Sequence, residues 1–247
     1  MRICIKFVAS TPILIPLHYN ELIQGLIYHS LERSLATKLH DSGFIYQKRN
    51  FKLFTFSRIL GRLQKKNGSF EINGSFQILI SSPYEEMIES LAFHFLKKKE
   101  VKFGKASVEV EEIELFKTSQ ISTKLTIGML SPLTVYSTFS DPEKGKKTYY
   151  YNPSEARFAE LVKTNLIKKY LAFYGKLPPS EEFTIRPLGI RKEHEKILFY
   201  KGFVIKGWMG KFELEGEPEL LRFAYEAGLG AKTSQGFGMF KILKREK

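Results

Sequence analysis

Ser69-Phe70-Glu71-Ile72-Asn73-Gly74-Ser75-Phe76-Gln77-Ile78-Leu79-Ile80-Ser81 is the stretch on which the fold turns. Aromatic and β-branched residues dominate it and bracket a turn-like Asn73-Gly74, so it reads as β-structure on both sides of that pair. Just beyond it, Pro83 opens a helical pattern to about Lys99, with Met87, Ile88, Leu91, Phe95 and Leu96 as its core face. Ala106 to Phe116 then alternates Val108, Val110 and Ile113 with acids, a further strand. Working backwards, Lys52-Leu53-Phe54-Thr55-Phe56-Ser57 reads as a strand. Asn20 to about Arg33 reads as a helix with a stripe of Leu22, Ile23, Leu26, Ile27 and Leu31. Residues 1–8 form the first strand. The order is β-α-β-β-α-β within the first 116 residues, the ferredoxin-like arrangement.

A similar order follows. Thr123 to Val135 reads as a strand interrupted at Ser131-Pro132, and Lys144 to Tyr151 as a basic, tyrosine-rich hairpin or loop. Pro153 starts a helix through Tyr174, which Pro178-Pro179 closes off. Glu182 to Lys192 and Leu198 to Leu214 read as strands, Glu217 to Ala227 as a short helix, and Gly236 to Leu243 as the last strand. The sequence thus predicts an α+β protein of two tandem ferredoxin-like, RRM-like domains, residues 1–118 and 119–247, with the boundary near Lys117 to Gln120.

Composition narrows the function. With 43% hydrophobic and 14% aromatic residues, the 247-residue chain has apolar surface enough for a core, which excludes wholesale disorder. Lys and Arg number 39 against 26 acids, so the formal charge is +13, and the partner to expect is a polyanion, nucleic acid before an acidic membrane. Cys4 is the single cysteine, so neither an internal disulfide nor a cysteine zinc cluster can form, and a buried strand position explains it. Pro12 and Pro16 break the apolar run after Lys6, a poor signal peptide, and no stretch reaches the roughly 20 apolar residues of a membrane span. The chain therefore reads as cytoplasmic, and the sequons at Asn67 and Asn73 read as turns.

The sharpest local signal is Gly228-Leu229-Gly230-Ala231-Lys232-Thr233-Ser234-Gln235-Gly236-Phe237-Gly238. One reading is a turn whose glycines supply positive φ. The other is a backbone loop whose bare N–H groups approach a phosphate closely, with Lys232 for charge and the hydroxyls of Thr233 and Ser234 and the amide of Gln235 alongside. The spacing is neither a P-loop nor a dinucleotide fingerprint. Gly-hydrophobic-Gly, five residues including a lysine, then Gly-hydrophobic-Gly near the C-terminus of such a chain resembles the RAMP superfamily of CRISPR systems. The first half resembles one branch of it, the endoribonucleases that cut CRISPR precursor transcripts within each repeat, the sixth Cas family. The residues that carry this are Tyr19-Asn20, Gln24-Gly25-Leu26-Ile27-Tyr28, Leu35-Ala36-Thr37-Lys38-Leu39-His40 and Lys52 to Ser57, with Lys176 to Glu181 later.

That resemblance implies a metal-independent, cofactor-free cleavage of repeat RNA to crRNA by 2′-hydroxyl attack, leaving a 2′,3′-cyclic phosphate and a 5′-hydroxyl. It also implies a catalytic set at Tyr28, His40 and Lys52, and an RNA-holding role for Gly228, Gly230, Lys232, Thr233, Ser234, Gln235, Gly236 and Gly238. Other CRISPR effector subunits and a second copy of the chain are further candidate partners. The residue types suit the chemistry. An imidazole exchanges protons near neutrality, an ammonium meets charge developing on phosphate, and a phenol can donate to a phosphate oxygen. Packing explains Tyr28 equally well, and a solvated helix end explains His40. On one straight helix Tyr28 and His40 would stand roughly 18 Å apart, at about 1.5 Å per residue. The trio therefore requires a helix break, expected at Ser34 as N-cap of a second helix.

The remaining lysine and arginine pairs, including Lys48-Arg49, Lys146-Lys147 and Lys168-Lys169, read as solvated faces that together favour RNA. Tyr149, Tyr150 and Tyr151 suit either strand packing or base stacking. No His, Asp and Glu cluster has metal-ligand spacing. Two other readings share these features: a non-catalytic RAMP subunit that holds crRNA, and a generic basic RNA chaperone.

Overall fold

The computed structural model describes residues 1–117, 121–141 and 145–246. The first half contains β1 (Arg2–Pro16), α1 (Asn20–Ser30), α2 (Arg33–Asp41), β2 (Phe44–Tyr46), β3 (Arg49–Phe51), β4 (Thr55–Phe56), β5 (Leu60–Lys66), β6 (Ser69–Ser81), α3 (Glu85–Lys97), β7 (Glu100–Phe103) and β8 (Ala106–Phe116). In its antiparallel sheet β4 and β5 both pair with β6, β6 with β1, β1 with β8, and β8 with β7. With β4 and β5 sharing the place of the second strand, the order is fourth, first, third, second, and α1 and α3 provide the crossovers of the split β-α-β pattern. Ile3, Ile5 and Phe7 alternate towards Phe76, Ile78 and Ile80, and Ile23, Ile27, Met87, Leu91 and Phe95 close the core from the helices.

The second half contains β9 (Lys124–Met129), β10 (Tyr136–Asp141), β11 (Gly145–Tyr150), α4 (Ala156–Tyr174), β12 (Phe183–Leu188), β13 (Glu195–Tyr200), β14 (Phe203–Trp208), β15 (Lys211–Gly216), α5 (Pro218–Ala227) and β16 (Phe240–Glu246). Its sheet runs β12-β15-β9-β16, again fourth, first, third, second when read from the far edge. Phe158, Val162 and Leu166 of α4 and Leu220, Leu221 and Ala224 of α5 pack on Leu125, Ile127, Phe212 and Leu214. Two hairpins, β10–β11 and β13–β14, stand outside the sheet. No helix of the described residues is long and apolar enough to cross a membrane. The expected domain boundary falls on residues 118–120, outside the described residues.

Several expectations are corrected. Asn73-Gly74 does not reverse the chain: β6 continues through it with Gly74 at φ 80°, and the register shifts on both sides, against β5 between Gly61 and Leu63 and against β1 between Ala9 and Ile13, where β1 absorbs Pro12 within a strand expected to end at residue 8. The turn expected at Asn67-Gly68 is present, at φ 48° and 74°, and joins β5 to β6. Leu198 to Leu214 is not one strand. Lys201 and Gly202, at φ 47° and 80°, reverse the chain between β13 and β14, and Gly210 at φ 111° separates β14 from β15. The strand over Lys52 to Ser57 contracts to Thr55–Phe56, and the last strand starts at Phe240 rather than Gly236.

Candidate active site and cationic cleft

The helix break that the trio requires is present, two residues before the expected place. α1 ends at Ser30, Leu31 is extended at φ −82° and ψ 154°, and α2 begins at Arg33. The N-cap is Glu32, not Ser34: its carboxylate accepts from the Ser34 backbone N–H at 3.1 Å and from the Ser34 hydroxyl. Leu31, Leu35 and Leu39 all enter the first core, and this fixes how α2 folds back beside α1. The Tyr28 and His40 rings consequently meet edge-to-face at 5.7 Å between centroids, and Tyr28 makes a second such contact with Phe54 at 5.8 Å. Burial, with a smaller contribution from Tyr200, pushes the Tyr28 phenol up to about 12, so at neutral pH it is a hydrogen-bond donor.

His40 is exposed at the C-terminal turn of α2, and its Nδ1 lies 2.9 Å from the Asp41 carboxylate. That contact favours the tautomer with the proton on Nδ1 and the lone pair on Nε2. Lys52 Nζ donates to the His40 carbonyl at 2.5 Å, so imidazole and ammonium share one patch. Partial burial lowers the Lys52 pKa, against the pull of Asp41. The approach depends on Gly43, at φ 59°: a Cβ there would sit 2.5 Å from the Phe51 carbonyl oxygen and 3.1 Å from Lys52 Cδ. Beyond Lys52 the chain divides its side chains between the two cores. Leu53, at φ 50°, is buried in the second and Phe54 in the first. A non-glycine residue at positive φ costs of order 1 kcal/mol, which the burial of both side chains offsets.

Lys52 opens onto a cleft of about 570 Å³ between the two halves. Arg49, Lys168, Lys169 and Lys232 also line it, with Tyr136, Asn165 and residues 233–235 of the glycine-rich segment. That segment is a packed joint. Asn20 Nδ2 donates to the Gln235 and Gly236 carbonyls at 2.7 and 3.3 Å, Gln24 Nε2 to the Ser234 carbonyl at 2.6 Å, and the Thr55 hydroxyl to the Phe237 carbonyl at 2.9 Å. Gly236, at φ 83°, lies so close to the first half that a Cβ would meet the Phe56 ring at 2.5 Å and Asn20 Nδ2 at 2.6 Å. The N–H groups of Gly228, Gly236 and Gly238 donate to Ala224, Thr233 and Pro132 carbonyls. What the segment turns towards the cleft is Ala231, Lys232, Thr233, Ser234 and Gln235.

Lys169 corrects the reading of Lys168-Lys169 as a solvated pair. Lys169 is 2% exposed, and its ammonium donates to the Gly228 and Gly230 carbonyls at 2.9 and 2.8 Å. Burial alone pushes its pKa down to about 7. A sequence signal existed: Phe158, Val162, Leu166 and Lys169 fall four, four and three apart, on the apolar stripe of α4. Asn20, Gln24 and Asp41, the partners that fix the joint and the imidazole, carried no spacing that distinguished them. Among the described residues, no three His, Cys, Asp or Glu side chains stand together as a metal-binding group.

Comparison with known proteins places most of the chain in one family. Residues 110–242 match the family model described as CRISPR associated protein Cas6, C-terminal, and residues 14–114 that of CRISPR-associated protein Cas6, N-terminal. The chain is 33% identical, over 97% of its length and 91% of the relative's, to a CRISPR-associated endoribonuclease Cas6 of Methanocaldococcus jannaschii. To the CRISPR-associated endoribonuclease Cas6 of Pyrococcus furiosus it is 29% identical, over 92% and 83%. A solved structure described as a RAMP protein binding different RNA substrates superposes with a TM-score of 0.83 at 27% identity, covering 99% of this chain and all of the other.

Proposed function

The chain belongs to the Cas6 family, and from that premise we propose that it cleaves CRISPR repeat RNA in precursor transcripts without a metal ion. The observation that supports the reading is the contact of the Tyr28 and His40 rings, carried on α1 and α2, with the Lys52 ammonium on the His40 carbonyl and Lys52 lining a cationic cleft. The residues 1–118 unit supplies the three side chains, and the residues 119–247 unit supplies Lys168 and Lys232 on the opposite wall.

In the proposed step, His40 Nε2 takes the proton of a ribose 2′-hydroxyl while Asp41 holds Nδ1. The 2′-oxygen forms a bond to the adjacent phosphorus and the bond from phosphorus to the 5′-oxygen breaks, giving a 2′,3′-cyclic phosphate. The departing 5′-oxygen takes a proton, from Lys52 or from water, and leaves as a hydroxyl. The Lys52 ammonium, 2.5 Å from the His40 carbonyl, lies where it can neutralise charge growing on the phosphate. Its lowered pKa also makes it a better proton donor than a solvated lysine. The Tyr28 phenol donates to a phosphate oxygen or orients the 2′-hydroxyl.

The test is to incubate repeat RNA from the same genome with pure protein in EDTA and identify the product ends. A cyclic phosphate and a 5′-hydroxyl are expected. Cleavage that stops in EDTA overturns the metal-free chemistry, and RNA that is bound but left intact overturns the nuclease in favour of an RNA-holding RAMP protein.

A further inference from the structure

The hairpins β10–β11 and β13–β14 frame a groove of about 500 Å³. The register pairs Tyr136 with Tyr150 and Thr138 with Thr148, so these four side chains share one face of the first hairpin. Opposite them β14 brings Phe203, Val204 and Lys206. Among the described residues, the lining combines aromatic rings, hydroxyls and two ammonium groups, with no carboxylate. Lys206 approaches Glu195 only to 4.0 Å, beyond hydrogen-bond reach. The Lys232 ammonium stands 5.2 Å from the centroid of the Tyr136 ring. Burial lowers its pKa, so an anion that settled beside it would gain a poorly solvated cation.

Two features say what fits here. Tyr136, Thr138 and Lys232 border both this groove and the cleft beside Lys52, so the groove adjoins the cleft. At the far end Phe203 is 71% exposed, a large ring held in water at the tip of a two-residue turn. Flat aromatic surface beside lysines is the chemistry that holds unpaired nucleotides: the ring stacks on a base of any identity while the ammonium groups meet the phosphates. The groove lies beside the cleavage site, not within it.

We propose that the groove between the two hairpins is a second RNA subsite for an unpaired nucleotide of the repeat, its base stacked on Phe203 and its phosphates beside Lys206 and Lys232. The inference rests on the RNA-cleavage reading above and adds the path the strand takes beyond the cleft.

Its test compares Phe203→Ala with the parent chain. Both carry His40→Ala so that the RNA survives, and the probe is fluorescein-labelled repeat RNA from the same genome. The substitution removes an exposed ring, so the fold is retained. Affinity is expected to fall roughly 5- to 150-fold, the range of one base–aromatic stack. In a scan of single abasic positions, one position should reproduce that loss and show no further loss when combined with Phe203→Ala. Unchanged affinity in a protein that still binds and cuts the repeat overturns this inference alone and leaves the face to a protein partner. A wild-type chain that binds no repeat RNA overturns this inference and the function on which it rests together.

Discussion

Lys169→Met removes a titratable group from the interior, and its effect on stability has a sign that depends on pH. In the native chain, burial holds the Lys169 pKa at about 7, whereas in the unfolded chain it takes the ordinary lysine value near 10.4. Below pH 7 both states bind the proton, so the cost of burying the charge is present in full. Between about pH 7 and 10 the unfolded state holds more protons than the native one, and stability rises with pH. The binding polynomials for these two values give the wild type about 2 kcal/mol more stability at pH 9 than at pH 7 from this group alone. The methionine variant lacks that term. Its absolute stability also reflects the loss of two donors to the Gly228 and Gly230 carbonyls, so only the change with pH is diagnostic. Urea unfolding of both proteins at pH 7 and pH 9 yields the double difference, in which the other ionisable groups cancel. A wild-type-minus-variant difference that stays within about 0.5 kcal/mol across that range would refute a buried, neutralisable ammonium.

Three other outcomes are expected. His40→Ala should slow single-turnover cleavage by about 10²–10⁴ while repeat affinity barely changes, and a similar loss of binding would place His40 in recognition rather than chemistry. Gly236→Ala and Gly74→Ala compare two glycines near φ 80°, of which only Gly236 faces Phe56 and Asn20 while Gly74 faces open space. Urea midpoints should show about 1 kcal/mol lost at Gly74 and roughly 1–3 kcal/mol more at Gly236, and equal losses would deny the tight joint between the halves. Lys232→Gln should reduce the slope of log Kd against log salt by about 0.7, as one phosphate contact does on a single strand, and an unchanged slope would remove Lys232 from the RNA path.

Much of the fold was legible because burial imposes periodicity. The stripes of α1, α3 and α4 and the alternation in β1 and β8 mark the faces that leave water, and two runs of such elements in the same order specify two similar sheets. Edge strands escaped for the complementary reason. β5 is mostly polar and exposed, so no apolar pattern reveals it, and β2 and β3 are three residues each. The two Asn-Gly pairs show the limit of local signals. Asn67-Gly68 turns the chain, whereas Asn73-Gly74 lies inside β6 because pairing with β1 outweighs turn propensity.

The sequence by itself determined the α+β class, the basic surface, the glycine spacing and the candidate residue types at 28, 40 and 52, since each follows from composition or short-range pattern. Tertiary structure alone decided that Tyr28, His40 and Lys52 meet, that Glu32 caps α2, and that Lys169 lies inside while Lys168 borders the cleft. The reason is physical: pairing across the chain depends on how a break in one helix and a left-handed residue at Leu53 redirect the backbone, and on which side of α4 the second sheet covers. Those are properties of packed surfaces, and no local run of residues encodes them.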